Sequence, residues 1–192
     1  MKIPLRFQIT EFDCGTVALQ NAVSYLFERE NIPAEVIKTI ALYTLDCYDD
    51  KGNLGQGGTS RESIELMTKW FTNYSNQHDF GIKCEHLQKE KVTLDVIEKF
   101  IGQNKCILVR TYLEGDHYVI ITDVDDKFVY VWDSYYLDEE YYNNDNNVII
   151  DLNNPFKFNR KISKDYFESM DTNDFTLGPI EKREIVLISR EI

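Results

Sequence analysis

The chain has 192 residues, which is enough for a single domain with a sizeable hydrophobic core, and its aromatic content is that of a globular protein. It carries 21 Lys and Arg against 33 Asp and Glu, a formal net charge of −12, which argues against nucleic acid and anionic membranes as partners. The amino terminus lacks the apolar run of a signal peptide and no later stretch is apolar enough to span a bilayer, so the sequence predicts a cytoplasmic protein.

The first part of the chain, about residues 1–104, has the periodicity of helices. Apolar residues at helical spacing predict a first helix that begins at Asp13 or Cys14 and runs to about Glu30. Further helices are predicted to begin near Pro33, at the capping-box pattern of residues 59–62, and at Thr93. The polar stretch 73–79 is expected to end the helix that the capping box opens.

The second part, about residues 105–192, changes to the pattern of strands. Strands are predicted at 106–113, 117–124, 127–133 and 185–189. A Tyr/Asn/Asp-rich insert, about 134–160, is too polar for a core and predicts a long surface loop with a short strand at 148–150. Helices followed by an antiparallel sheet imply one α+β domain over residues 1–192, with the first helix packed against the sheet.

Cys14 stands in the first turn of the predicted first helix. Unpaired N–H groups and the positive end of the helix dipole favour a thiolate there, and such a position can lower a cysteine pKa from ~8.5 to about 3.5–7.5. Asp13 is a candidate cap, Gly15 leaves space for a substrate carbonyl, and Gln8 could donate an amide hydrogen to an oxyanion. A lone helical cysteine is more often a small buried hydrophobe, so a catalytic site also needs a base and an orienting acid.

His117 and Asp133 can supply these two groups. His117 opens one predicted strand and Asp133 ends the next, so a hairpin across Asp125-Asp126 brings both to its open end. An acid there can hold one imidazole nitrogen while the other faces Cys14. Taken singly, the histidine is better explained as a strand-end residue and the acid as a turn residue. The four compatible positions together favour catalysis, with Gln8 and a backbone N–H as oxyanion donors.

Several stretches match one known family in a fixed order: Gln8, Asp13-Cys14-Gly15, Ala18-Leu19-x-Asn21-Ala22, His117-Tyr118-Val119 and Asp133. In these the chain resembles the bacteriocin-processing (double-glycine leader) peptidases, a family of papain-like cysteine peptidases. The resemblance spans nearly the whole chain and implies a papain-like fold, thiol chemistry without metal or cofactor, and a peptide or protein substrate. It implies Cys14 as nucleophile, His117 as general base, Asp133 as orienter and Gln8 as oxyanion donor.

Two departures from the family pattern bear on the substrate. Ser134 follows the acid where the family commonly has proline, and the insert is unlike the compact leader peptidases fused to export transporters. The leading hypothesis is therefore a stand-alone cysteine peptidase or amidase. An acyltransferase that uses the same thioester, or a vestigial domain kept for binding a peptide, are the alternatives. Tyrosines and acids of the insert predict that it forms one wall of the substrate cleft and favours basic substrate positions.

The sequence also suggests a zinc site and a phosphate loop, but the support for both is weak. Cys84-x-His86 with His78 and Cys47 could be imagined as a zinc site, but the spacings match no common finger, and exposed histidines in a polar loop are the better interpretation. The glycines of residues 52–58 suggest a phosphate loop, but no Gly-Lys-Ser/Thr follows them. The four cysteines form no Cys-x-x-Cys pair, so we expect free thiols.

Overall fold

The computed structural model describes residues 1–143 and 145–191. Within them the helices are α1 (Cys14–Leu26), α2 (Ala34–Tyr43), α3 (Arg61–His78), α4 (Leu94–Phe100) and α5 (Lys164–Phe167). The strands are β1 (Ile82–Gln88), β2 (Lys105–Tyr112), β3 (Asp116–Val124), β4 (Phe128–Trp132), β5 (Val148–Ile150), β6 (Arg160–Ser163) and β7 (Glu184–Arg190). Helices therefore precede most of the sheet, as predicted.

These strands form one antiparallel sheet in the order β1-β7-β2-β3-β4-β6-β5. Two hairpins in sequence, β2–β3 and β3–β4, make its centre. The last strand, β7, returns to pair with β2 on one side and β1 on the other. On the opposite side β6 pairs with β4 and holds β5 at the edge. The predicted hairpin that carries His117 and Asp133 is thus at the middle of the sheet.

The sheet buries apolar side chains on both faces, because side chains alternate along each strand. Leu108 and Ile120 face α1 and pack with its Leu19. Val109 and Val119, one residue away along the same strands, belong to the core on the other face. α1 lies directly against β2 and β3, so the start of this helix is held close to the start of β3.

The predicted helical part contains one strand that the sequence analysis missed. Residues 82–88 form β1, in which Ile82 is buried while Lys83 and Glu85 are exposed. This alternation is typical of an edge strand. Because the segment contains charged residues, its sequence is less recognisable as a strand than those of the more apolar strands. His86 consequently lies on a strand and is largely buried. His78 is exposed, as predicted, but it is the last residue of α3, so a polar loop was the wrong prediction for both histidines.

Several predicted boundaries also change. α1 ends at Leu26 and is followed by a short 3-10 turn at Arg29–Asn31, so it is shorter than predicted. α3 continues through the polar stretch 73–79 as far as His78. The predicted helix start at Thr93 is confirmed, since its hydroxyl accepts a hydrogen bond from the N–H of Val96 at 3.3 Å. None of the described helices combines the length and the apolarity needed to cross a membrane.

The insert is less loop-like than the sequence predicted. The short strand at 148–150 is confirmed as β5, which pairs with β6. Val148 and Ile150 are buried, because β5 places both on one face of the sheet. The end of the predicted insert, Asn159 and Arg160, is completely buried. A surface loop was therefore the wrong prediction for these last residues.

Candidate active site

Cys14 is the first residue of α1 and lies at the wall of a cavity. Its side chain is buried, with 8% exposed. Asp13 occupies the N-cap position but makes no side-chain cap; its Oδ1 accepts hydrogen bonds from the backbone and hydroxyl of Thr10 at 3.1 and 2.9 Å. The predicted capping role was therefore wrong, and Asp13 instead shapes the loop in front of the helix.

Gly15 is required by packing. A Cβ at this position would come within 2.5 Å of the Thr59 hydroxyl oxygen, which is closer than two such atoms approach. Thr59 belongs to the segment that leads into α3, where Ser60 caps the helix by accepting from the N–H of Ser63 at 3.0 Å. The absent side chain thus lets α1 contact this segment, a different reason from the predicted space for a substrate carbonyl.

His117 and Asp133 meet at the open end of the β3–β4 hairpin, as the sequence predicted. The His117 Nε2 and Asp133 Oδ1 atoms are 2.7 Å apart, and both side chains are buried. Because Nε2 faces the acid, the other ring nitrogen is available to Cys14, and both residues line the same cavity. The structure therefore places Cys14 and the paired His117 and Asp133 at one site.

The electrostatics of this group favour a charged pair. Burial by itself raises the pKa of Cys14, but the hydrogen bond and charge of His117, with the backbone N–H of Tyr118, outweigh it and lower that pKa. Burial likewise acts to lower the pKa of His117, but the charge and hydrogen bond of Asp133, helped by Cys14, raise it to about 10. A proton is consequently held by the imidazole in preference to the thiol.

Cys14 differs in this respect from the other cysteines. Burial raises the pKa values of Cys84 and Cys106 far above the ordinary value, and burial together with Asp46 raises that of Cys47. All four are free thiols, as expected. Cys14 is therefore the cysteine whose surroundings stabilise a thiolate.

Gln8 lies on the amino-terminal segment that runs beside α1. Asn21 of α1 holds this segment through two hydrogen bonds to the backbone of Arg6, both 2.8 Å long. The Gln8 amide nitrogen donates to the carbonyl of Thr10 at 2.8 Å, and its oxygen accepts from the Ser134 hydroxyl at 2.8 Å. One of the two amide N–H groups is thus occupied, and the side chain is anchored to the residue after Asp133.

The backbone around Asp133 is fixed by residues that the sequence analysis did not identify. Asn159 accepts a hydrogen bond from the Asp133 N–H at 2.8 Å and donates to its carbonyl at 2.7 Å. The N–H of Tyr135 donates to Asp133 Oδ1 at 2.9 Å, and the Arg160 guanidinium lies 3.6 Å from Oδ2. A polar pair at the end of an otherwise polar insert gave no signal of burial, because its partners are distant in sequence.

A cavity of about 610 Å³ opens beside Cys14 and His117. The glycine-rich segment forms one side with Gln56, Gly57 and Gly58, and the loop between β2 and β3 forms another. Tyr135, Leu137 and Tyr141 of the insert also line it. The insert therefore lies beside Cys14, where the sequence predicted it, and its role as a wall of a substrate cleft stays a prediction. The glycine-rich segment lines the same cavity but is not followed by the Gly-Lys-Ser/Thr of a phosphate loop.

The imagined zinc site finds no support among residues 1–143 and 145–191, where no group of three or more His, Cys, Asp and Glu is arranged to hold a metal ion. His86 is paired with the buried Glu184, whose Oε1 is 2.7 Å from the ring Nε2. Glu184 also accepts a hydrogen bond from the Tyr118 hydroxyl at 2.9 Å. These contacts explain His86 as part of a buried network between β1, β3 and β7.

Comparison with known proteins relates the chain to peptidase domains. It aligns over 99% of its length with 93% of a double glycine motif protease from an AMS/PCAT transporter, solved in complex with the leader peptide, with a TM-score of 0.51 and 12% identity. The fold is that of a papain-like peptidase domain. The peptidase domain of Streptococcus ComA, a bifunctional ABC transporter involved in quorum sensing, aligns over 98% of both chains with a TM-score of 0.47 and 12% identity. No family model and no curated protein matches the sequence.

This likeness confirms the papain-like fold predicted from the sequence motifs, and it extends over nearly the whole chain. The resemblance to double-glycine peptidase domains is therefore found in the fold as well as in the sequence motifs. At 12% identity the likeness concerns the fold, and the chemistry depends on the side chains of this chain.

Proposed function

We propose that the protein is a cysteine peptidase or amidase that acts on a peptide or protein substrate. The observation that carries the proposal is the placement of Cys14 and the His117–Asp133 pair at the wall of one cavity. A nucleophile, a proton carrier and an orienting acid are the minimum set for thiol-based acyl transfer. The AMS/PCAT protease with the same fold was solved with a leader peptide, which supports a peptide as the substrate class.

In the proposed reaction the Cys14 thiolate attacks the carbonyl carbon of the scissile bond, and the carbonyl electron pair moves to oxygen. The oxyanion accepts hydrogen bonds from the backbone N–H of Cys14 and from the second amide N–H of Gln8. As the intermediate collapses, the C–N bond breaks and the imidazolium of His117 gives its proton to the leaving amine. Asp133 keeps the ring oriented throughout.

The thioester is then hydrolysed in a second step of the same kind. Neutral His117 removes a proton from water, which attacks the thioester carbonyl. Collapse returns the electron pair to sulfur and releases the carboxylic acid, so the ion pair of Cys14 and His117 is restored. Because the pKa of His117 is raised and that of Cys14 lowered, His117 acts first as an acid and only then as a base.

Alkylation of the four cysteines tests this proposal without knowledge of the substrate. The protein is treated with iodoacetamide at about pH 6, where an ordinary thiol is almost entirely protonated, and the labelling rate of each cysteine is followed by mass spectrometry. We expect Cys14 to react much faster than Cys47, a partly exposed cysteine that serves as the internal control. Equal rates for Cys14 and Cys47 would rule out a thiolate nucleophile at position 14.

Replacement of His117 provides the second arm of this test. His117→Ala should remove the fast reaction of Cys14 at about pH 6, because the largest favourable influence on its pKa comes from that ring. Asp133→Asn should leave a slower reaction, since a neutral partner orients the ring but does not stabilise the imidazolium. Full reactivity in His117→Ala would require another residue as the base.

A further inference from the structure

Arg160 is a buried charged residue that the proposed reaction does not use. It begins β6, and no part of its side chain is exposed. Burial lowers the pKa of its guanidinium, while the charge of Asp133 opposes that shift. A buried ion pair is weak evidence of a stabilising role, because apolar residues of similar volume often stabilise a fold as well.

The guanidinium connects the segment of Asp133 and Tyr135 to the start of β6, behind the candidate active site. Its Nη1 donates to the carbonyl of Asn159 at 3.0 Å, and its Nη2 donates to the carbonyl of Tyr135 at 3.0 Å. The same Nη2 lies 3.6 Å from Asp133 Oδ2. The planar, rigid geometry of a guanidinium lets it define the relative positions of all three groups.

The two carboxylate oxygens of Asp133 differ in their surroundings: one makes hydrogen bonds, and the other has, among the described residues, only the Arg160 guanidinium charge near it. Oδ1 is hydrogen-bonded to Nε2 of His117 and accepts a second hydrogen bond from the N–H of Tyr135. Oδ2 has no hydrogen-bond partner within residues 1–143 and 145–191, and neither has the Nε of Arg160. The guanidinium charge therefore attracts Oδ2, while Oδ1 is the oxygen directed at His117.

Tyr135 links the same arginine to the cavity. Its backbone contacts Arg160 through the carbonyl and Asp133 through the N–H, and the residue lines the cavity. The Arg160 guanidinium also lies 6.0 Å from the centre of the Phe175 ring, which packs against Tyr142 of the insert. The base of the cavity wall and the orienting acid are thereby held by one side chain.

We propose that Arg160 is a positioning residue of the candidate active site, which fixes the Asp133 carboxylate against His117 and the insert against the cavity. The proposal rests on the proposed function, since it acts through Asp133 and His117 on the nucleophile. The charged or titratable groups around this relay are Cys14 on α1, His117 on β3, Asp133 after β4, and Tyr142 of the insert, which interacts with Arg160.

The test compares Arg160→Met and Arg160→Lys with the unmodified protein. Loss of the guanidinium should let the carboxylate and the ring depart from their shared geometry, so the Cys14 thiolate forms at higher pH. If the apparent pKa of the thiol rises by about one unit, its alkylation at about pH 6 falls about tenfold. Arg160→Lys keeps the charge but not the fork of donors, and it should restore part of the rate. The alkylation rate of Cys14 against pH is the measured profile.

A second comparison separates positioning from a general effect on the fold. In an Asp133→Asn background, Arg160→Met should change the Cys14 rate little, because a residue that acts through Asp133 loses its influence once that charge is gone. If Arg160→Met alone does not fold, Arg160→Lys takes its place in both backgrounds. Lys161→Met is the matched control, since Lys161 is the next residue of β6 and pairs with Asp151 at 2.8 Å.

The outcomes distinguish this inference from the proposed function. Fast, selective alkylation of Cys14 in the unmodified protein together with an unchanged pH profile in folded Arg160→Met or Arg160→Lys would overturn the role of Arg160 alone. If Arg160→Met lowered the alkylation rate of Cys14 by the same factor in the unmodified and in the Asp133→Asn background, the role of Arg160 would be overturned as well. Slow alkylation of Cys14 in the unmodified protein would instead contradict the proposed function itself.

Discussion

Gln8 and Ser134 are joined by two hydrogen bonds that connect the candidate oxyanion donor to the segment after Asp133. The backbone N–H of Gln8 donates to the Ser134 carbonyl at 2.9 Å, and the Ser134 hydroxyl donates to the Gln8 amide oxygen at 2.8 Å. A proline at position 134 could not make the second bond, so the departure from the family pattern has a structural use here. Orientation of the Gln8 amide thus depends on Ser134.

The first prediction concerns this pair. Gln8→Ala should lower kcat by about 10²–10³ if the amide stabilises an oxyanion, and Ser134→Ala should lower it less, because the amide then loses only its anchor. KM should change little in both variants, since the bond to the oxyanion strengthens in the transition state. Steady-state kinetics on a cleaved peptide measures the effect. Cys14 alkylation is the control and should be unchanged, and a Gln8→Ala variant with unaltered kcat would remove Gln8 from the reaction.

The second prediction follows from the opposite pKa shifts of Cys14 and His117. The pKa of His117 is raised to about 10 in the folded state, so protonation of this ring stabilises the fold. This contribution to the free energy of unfolding is complete below about pH 6.5 and is lost as the pH rises towards 10. The lowered pKa of Cys14 acts in the other direction, since the unfolded chain keeps the thiol proton to higher pH. From about pH 6.5 to 8 the two contributions nearly cancel, because the folded pair and the unfolded pair each hold one proton.

Cys14→Ser should expose the uncancelled contribution of His117. Its hydroxyl does not titrate in this range, while Asp133 still raises the pKa of the ring. We therefore expect the free energy of unfolding of Cys14→Ser, relative to the unmodified protein, to fall as pH rises from about 6.5 to 8. Urea unfolding at several pH values measures this difference. His117→Ala in the same background should abolish the slope, and a slope that persisted would have to come from another group.

The sequence predicted the candidate site better than its supporting contacts. Cys14 at a helix start, and His117 and Asp133 at the open end of one hairpin, follow from local signals: helical spacing, apolar strands and a short turn. The burial of Arg160 follows instead from its tertiary contacts with Asp133 and Tyr135, which are 27 and 25 positions away in the sequence. No local pattern predicts such contacts.

The same limit applies to the elements of the fold. β1 has exposed Lys83 and Glu85 and becomes recognisable only through its pairing with β7, from a distant part of the chain. Gly15 matched a family motif, but its packing against Thr59 depends on how α1 meets the segment before α3. Local patterns thus predicted the elements that carry the candidate site, whereas contacts between distant segments determine how those elements are held.

The third prediction concerns the charge of the substrate. Glu11, Glu114 and Asp116 are the lining residues of the cavity with a fixed charge, and all three are acidic. Asp116 is paired with the buried Arg110, so Glu11 and Glu114 are the acids left to attract a substrate. A peptide with Lys or Arg beside the scissile bond should be cleaved with a higher kcat/KM than one with Gln there, and the difference should shrink with added salt.

Glu11→Gln and Glu114→Gln identify the acids responsible. Each should lower kcat/KM for the basic peptide several-fold, mainly through KM, and leave the neutral peptide almost unaffected. Asp165→Asn, on α5 and outside the residues that line the cavity, is the charge-matched control. An equal loss for basic and neutral peptides would indicate a structural effect and would contradict a preference for basic residues.

The last prediction compares two tyrosines of the insert that are equally accessible. Tyr141 is 53% exposed and lines the cavity, whereas Tyr136 is 56% exposed and packs against Phe7 outside it. Because a tyrosine at a cleft wall buries its ring against a bound peptide at low entropic cost, Tyr141→Ala should lower kcat/KM for a peptide substrate about tenfold. Tyr136→Ala should leave kcat/KM nearly unchanged, and both variants should retain fast alkylation of Cys14. Equal kinetic effects of the two substitutions would mean that the insert supports the fold without contacting the substrate.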